Sequence, residues 1–428
     1  MLSFNLENNV EKIDTKWIEK KYQKEVDKIW NDVVNKTAAG SNMTGWLNLK
    51  EIYCPEEIQA MKAKANEWTK AGIKDIVVIG IGGSYIGVKA AIDMIKCGDE
   101  TGPRMIYIHN MNSNYMLSIM QKLEGKKFGI IVISKSGTTL EPAIGFRLFR
   151  NLLEKNVGSD NSKKLIVAVT DEQKGTLHDF AKAKGYTMFR IPNTIGGRYS
   201  TLTPVGLFAM ASSGIDIEKV LNGAKHAIND LNNTSLSQNT AYQYACCRHY
   251  LHTSKHIQVE NFITYDPFMY MICQQWQQLF GESEGKDFKA MYPTYSLFTT
   301  DLHALGQYLQ QGTRNFMETT LMVKKPNKDM KLVIEDNDDG LKYLNGKTLD
   351  SLTKKAFEGT IKAHTEKGRV NNFIIEISEA DEFHYGYLFM WLSYAAMMSG
   401  YLLKINPFNQ PGVEDYKSNM FALLGRNK

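Results

Sequence analysis

From residue 75 onward, short apolar runs alternate with longer amphipathic stretches, at 75–81, 105–109, 128–134, 164–170 and 187–191. Isoleucine and valine dominate three of these runs. Their continuous apolarity predicts strands covered on both faces, as in a parallel sheet between helices. A second, less regular series has strand candidates at 258–265, 316–323, 331–335 and 372–377, with a helix expected over 266–280. The pattern predicts an α/β chain of two doubly wound units with parallel sheets flanked by helices. Residues 1–70 read as a helical N-terminal segment, 71–203 as the first unit and 204–405 as the second. Residues 406–428 read as a C-terminal loop and helix, and a soft boundary falls near 204–213.

The stretch 385–403 has no charged residue and approaches the length of a membrane span. It also holds Gly386, Ser393, Ser399, Gly400 and four tyrosines. We therefore read it as an all-apolar core helix of a large α/β unit.

Composition narrows the choice of partner. The 51 basic and 46 acidic side chains are interspersed and give a net charge of +5, without a basic stripe for nucleic acid. Small anions fit better. The five cysteines lack regular spacing, which suits reduced thiols in a cytoplasmic protein. Residues 1–14 lack the basic start and apolar core of a signal peptide. Cys246, His249, His252 and His256 lie at helical spacings but match no recognised zinc signature, and surface histidines on a helix are the commoner cause.

Ligands of an open α/β sheet sit outside the carboxyl ends of its strands, so the turns leaving the first and third strands are searched first. The first reads Gly80-Ile81-Gly82-Gly83-Ser84-Tyr85-Ile86-Gly87. A dinucleotide fingerprint would need its third glycine at Tyr85, and a Walker loop would need lysine at Val88, so both fail. A tight structural turn and a ligand cradle both remain open there. The second reads Ser134-Lys135-Ser136-Gly137-Thr138-Thr139-Leu140-Glu141-Pro142. Thr138 and Glu141 have capping-box spacing, and Pro142 suits a first helical turn. Backbone N–H groups at a helix start, together with several hydroxyls, favour a phosphate dianion.

Moving a proton between neighbouring carbons needs a base and a group that holds the enediolate charge. Gly281-Glu282-Ser283-Glu284-Gly285-Lys286 offers a carboxylate at a helix end, though such a glutamate is usually a solvated surface charge. Ile195-Gly196-Gly197-Arg198-Tyr199-Ser200 offers a cation beside flexible backbone. Thr300-Asp301-Leu302-His303 offers an imidazole near a helix start.

Together these motifs resemble the glucose-6-phosphate isomerase family, in its compact bacterial form. The arginine signature runs from Ile195 to Gly206, and Phe408-Asn409-Gln410-Pro411-Gly412-Val413-Glu414-Asp415-Tyr416-Lys417 matches the C-terminal one. The likeness spans about residues 75–420, and the first 50 residues carry no motif. Asn409 stands where aspartate is common, and Glu284 where some members have asparagine.

The resemblance implies two sugar-isomerase domains and interconversion of glucose 6-phosphate with fructose 6-phosphate in glycolysis and gluconeogenesis. It implies a phosphate site of Gly83, Ser84, Ser134, Lys135 (backbone), Ser136 and Thr139. Glu282 would shuttle the proton between C1 and C2. Arg198 and the Gly197 backbone would stabilise a cis-enediolate. His303 and Lys417 would open the sugar ring, and Gln410 would position the substrate. No metal or organic cofactor, nucleic acid or membrane partner is expected. A homodimer is implied, with His303 contributed from the neighbouring subunit.

Overall fold

The computed structural model describes residues 2–336 and 339–425. The apolar runs of the first series become five strands: β2 (Asp75–Ile79), β3 (Arg104–Ile108), β4 (Gly129–Ile133), β5 (Ile166–Asp171) and β6 (Thr187–Ile191). They form one parallel sheet in the order β3-β2-β4-β5-β6. β2, β4 and β5 are buried along their whole length, which explains their unbroken apolar runs. In this order the chain reverses direction between β2 and β4, so the turns leaving these two strands run to opposite sides of the sheet's switch point.

The second sheet holds β7 (Val259–Thr264), β8 (Tyr292–Leu297), β9 (Phe316–Val323) and β10 (Asn372–Ile377), in the order β10-β9-β7-β8 and all parallel. The same reversal recurs between β7 and β9. A short strand near the N terminus, β1 (Ser3–Asn5), pairs antiparallel with β10 and closes that edge.

Three local expectations change. Residues 331–335 form no strand but one isolated bridge, Lys331 with Thr348, and Val333 is 77% exposed; no neighbouring strand covers the run. β8 was not expected, because Pro293 and its hydroxyl-bearing neighbours disguise a strand that an edge position tolerates. The N-terminal segment is not wholly helical, since β1 joins the second sheet before the helix Thr15–Val34. The helix Pro204–Ser212, started by Pro204 and capped by Thr203, is buried.

The helix Glu382–Leu402 is buried on nearly every face and packs against the helices Ile217–Leu231 and Thr240–Lys255. Its all-round apolarity is therefore core packing, and among the described residues no helix is long and apolar enough to cross a membrane. The helix Thr15–Val34 buries Ile18, Tyr22, Val26 and Val33 at helical spacing, and its start is fixed by the Asp14 carboxylate accepting from Trp17 N–H at 2.7 Å.

Candidate active site

The serine-rich turn after β4 is held from behind. Ser134 Oγ accepts from Gly137 N–H at 3.0 Å, and Ser136 Oγ accepts from Thr138 N–H at 3.2 Å while lying 2.9 Å from Thr138 Oγ1. Thr176 N–H donates to Ser136 O at 3.0 Å. Gly137 has φ +75°, and a Cβ there would lie 2.3 Å from the Leu177 nitrogen, so glycine is required twice over. The expected capping box at Thr138 is absent. Thr139 precedes the helix Leu140–Val157 and makes no side-chain cap, leaving that helix start open. Lys135 reaches back to the carbonyls of Pro192 and Asn193, 3.4 Å each, and burial pushes its ammonium pKa down. Its side chain thus braces the turn, and its backbone is what remains for a ligand.

The glycine turn after β2 does a different job. A Cβ on Gly83 would stand 2.1 Å from Gly197 O, so this turn lies in backbone contact with the short 3-10 helix Gly197–Tyr199. Ser84, in the first turn of the helix Gly83–Lys96, is half-buried beside that contact.

Arg198 and Glu282 meet. Arg198 is 4% exposed; its Nε donates to Ser283 Oγ at 2.9 Å, Nη1 to Glu282 Oε2 at 3.2 Å and Nη2 to Pro407 O at 2.5 Å. Glu282 sits in the last turn of the helix Tyr270–Glu284, which runs four residues beyond the expected end. Gln410 Nε2 also donates to Glu282 Oε2, and Gln278 Nε2 donates to Oε1 at 2.9 Å. The carboxylate is thereby held by three donors while 31% of its side chain stays exposed. Lys286 donates to the carbonyls of Glu282 and Ser283 at 2.8 and 2.7 Å and closes the helix end. Burial, aided by nearby Arg198, lowers its pKa to about 8. An open groove of about 1130 Å³ runs past Gln278, Glu282, Lys286, Tyr292, Pro411 and Asp415.

Arg198, Gly197, Gly83, Glu282 and Gln410 are thus brought together, while the serine turn does not line the groove. Two expected residues stay outside the set within this chain. His303 is exposed on the helix Leu302–Gln311, and Lys417, on the helix Glu414–Leu423, pairs with Glu414 at 2.9 Å. The sequence reading missed Gln278, Ser283, Tyr199 and Trp46. Gln278 lies four residues before Glu282, on the same helix face, which was a usable signal. Trp46, from the segment without motifs, stacks on Tyr199 at 5.1 Å, and Tyr199 Oη lies 3.0 Å from Ser283 Oγ; no local pattern announces either contact. Of the histidines considered for metal, His249 Nδ1 lies 3.0 Å from Tyr22 Oη and His252 Nδ1 lies 2.8 Å from Ile257 O. Among the described residues no three His, Cys, Asp or Glu side chains cluster in a way that could hold a metal ion.

The sequence profile described as phosphoglucose isomerase matches residues 55–423. The chain belongs to the phosphoglucose isomerase family. It is 46% identical over 410 residues to the glucose-6-phosphate isomerase of Staphylococcus epidermidis, covering 94% of this chain and 92% of that protein. To that of Mycoplasmopsis pulmonis it is 46% identical over 429 residues, covering 99% of each. Among solved structures, a hypothetical protein of Thermus thermophilus superposes with a TM-score of 0.89 at 26% identity, covering 99% of this chain and all of that one. A glucose-6-phosphate isomerase of Chlamydia trachomatis gives 0.82 at 18% identity, over 99% and 88% of the two chains, and so shares the fold.

Proposed function

We propose that the chain interconverts glucose 6-phosphate and fructose 6-phosphate by ring opening and proton transfer through a cis-enediolate. One observation carries the reading: the Glu282 carboxylate, partly exposed in a groove, lies 3.2 Å from a buried arginine. Those are the base and the cation that an enediolate requires.

In the proposed reaction the substrate phosphate rests on Ser134, Ser136, Thr139 and Ser84, with the Lys135 backbone N–H and the Leu140–Val157 helix start supplying positive potential. His303 and Lys417 open the ring, one removing and the other returning a proton. Glu282 takes the proton from C2 as the C1–C2 double bond forms and the C1 carbonyl electrons move onto O1; the O2 hydroxyl proton passes to O1, and Glu282 then delivers its proton to C1 as the C2 carbonyl forms. Arg198 and the Gly197 N–H hold the oxyanion between those steps, and Gln410 orients the sugar.

Following the family resemblance, the reading includes a homodimer in which a second copy supplies His303, which is exposed on its helix in this chain. Five free cysteines fit work in a reducing cytoplasm. The test is a coupled assay of glucose 6-phosphate formed from fructose 6-phosphate, with EDTA present. Turnover at an undiminished rate is expected; activity lost with EDTA and restored by zinc would overturn the metal-free scheme.

A further inference from the structure

Three successive side chains at the end of the helix Tyr270–Glu284 are gripped by different parts of the protein. Glu282 is held by Arg198, Gln410 and Gln278, and Ser283 by Arg198 and Tyr199. Glu284 turns the other way, as it must: two residues along a helix rotate the side chain by about 200°. It is 2% exposed and accepts from Arg248 Nη1 at 2.5 Å. Arg248, on the helix Thr240–Lys255, is 1% exposed and is itself fixed by Glu260 of β7 at 2.5 Å and by Ser399 Oγ at 2.9 Å. Glu260 is fully buried and also accepts from Tyr244 Oη and Thr319 Oγ1, 2.6 Å each.

This arrangement is expensive. A buried ion pair loses more hydration than its attraction regularly returns, and an apolar replacement is often as stable. Here two carboxylates share one guanidinium, Arg248 Nη2 has no hydrogen-bond partner, and Glu284 faces the negative end of its own helix. Stability alone therefore explains the network poorly. Its geometric effect is specific: Arg248 ties the last turn of the helix to β7 and to the buried helix Glu382–Leu402, from the side opposite Glu282.

We propose that Arg248, through Glu284, is a positioning residue that fixes the rotation of this helix end and so aims the Glu282 carboxylate at the two sugar carbons. The proposal rests on the reading of Glu282 as the base. The test compares Glu284→Gln and Arg248→Met with wild type, using fructose 6-phosphate for turnover and glucose 6-phosphate deuterated at C2, in ordinary water, for label transfer. Misaiming a reacting group can cost about a hundredfold, so kcat should fall at least about tenfold while KM stays within about threefold. The share of label passed from C2 to C1, rather than lost to water, should also fall, because a loosened carboxylate exchanges its proton before delivering it. Arg248→Lys should recover part of both. Folded Glu284→Gln with wild-type kcat and label transfer would overturn the proposal. So would a Glu284→Gln chain that fails to fold, since the network would then serve stability alone. If Arg248→Met is insoluble, Glu284→Gln decides on the same readouts. Wild type without isomerisation would instead overturn the functional reading beneath it.

Discussion

The two sheets share one strand order but offer opposite ends to the proposed site. The first offers the turns at the carboxyl ends of β2 and β4, where helices begin. The second offers the end of the helix that returns from β7 toward the start of β8. The difference follows the helix dipole. A helix start is positive and suits an anion held by backbone N–H groups. A helix end is negative, so cations gather there, and Arg198 and Lys286 do so around Glu282. The turn after β4 is written in adjacent residues, whereas the surroundings of Glu282 are assembled from positions 198, 278, 407 and 410.

That contrast predicts unequal damage. Glu282→Gln keeps the size of the side chain and its place beside Arg198 but removes the base. General-base catalysis contributes typically ~10² to 10⁴-fold, so kcat should fall by at least that factor, with KM within a few-fold. Exchange of the substrate C2 proton with deuterated water is the deciding measurement, and wild type should exchange. A mutant with near-normal exchange and turnover would show that Glu282 does not carry the proton.

The catalytic end is also expected to be incomplete within one chain, which the serine turn is not. Co-expressed His303→Ala and Glu282→Gln chains should form mixed dimers in which one site keeps both residues. With random pairing, half the dimers are mixed and one of their two sites is intact, so about a quarter of wild-type activity should return. Mixed dimers that form and stay inactive would mean that each chain builds its own site.

How much of this was legible in the sequence depended on whether the governing contact was local. The buried strands β2, β4 and β5 announced themselves, because burial on both faces demands unbroken apolar runs. The edge strand β8 did not, since an edge tolerates Pro293 and mixed polarity, and β1 is too short to show a period. The serine turn could be read residue by residue, although its expected Thr138 cap was replaced by a bond to Ser136. The neighbours of Glu282 could not be read this way. Pro407 contributes only a backbone carbonyl, and Trp46 acts through a ring stacked on Tyr199; sequence spacing signals neither.

The smallest expected effect belongs to the cradle. Ser134→Ala with Thr139→Ala removes two hydroxyls that a phosphate would meet, yet leaves the helix start and the Lys135 brace to Pro192 and Asn193 in place. Phosphate contacts of this kind exist equally before and during proton transfer, so their loss weakens binding without raising the chemical barrier. KM should therefore rise while kcat stays near wild type. Ser134 Oγ also braces Gly137 N–H, so part of the rise would come from a loosened turn; Ser134→Thr, which retains the acceptor, should separate the two contributions. A large fall in kcat at unchanged KM would mean instead that the cradle grips the substrate more tightly as the enediolate forms, and the division between a binding end and a catalytic end would fail.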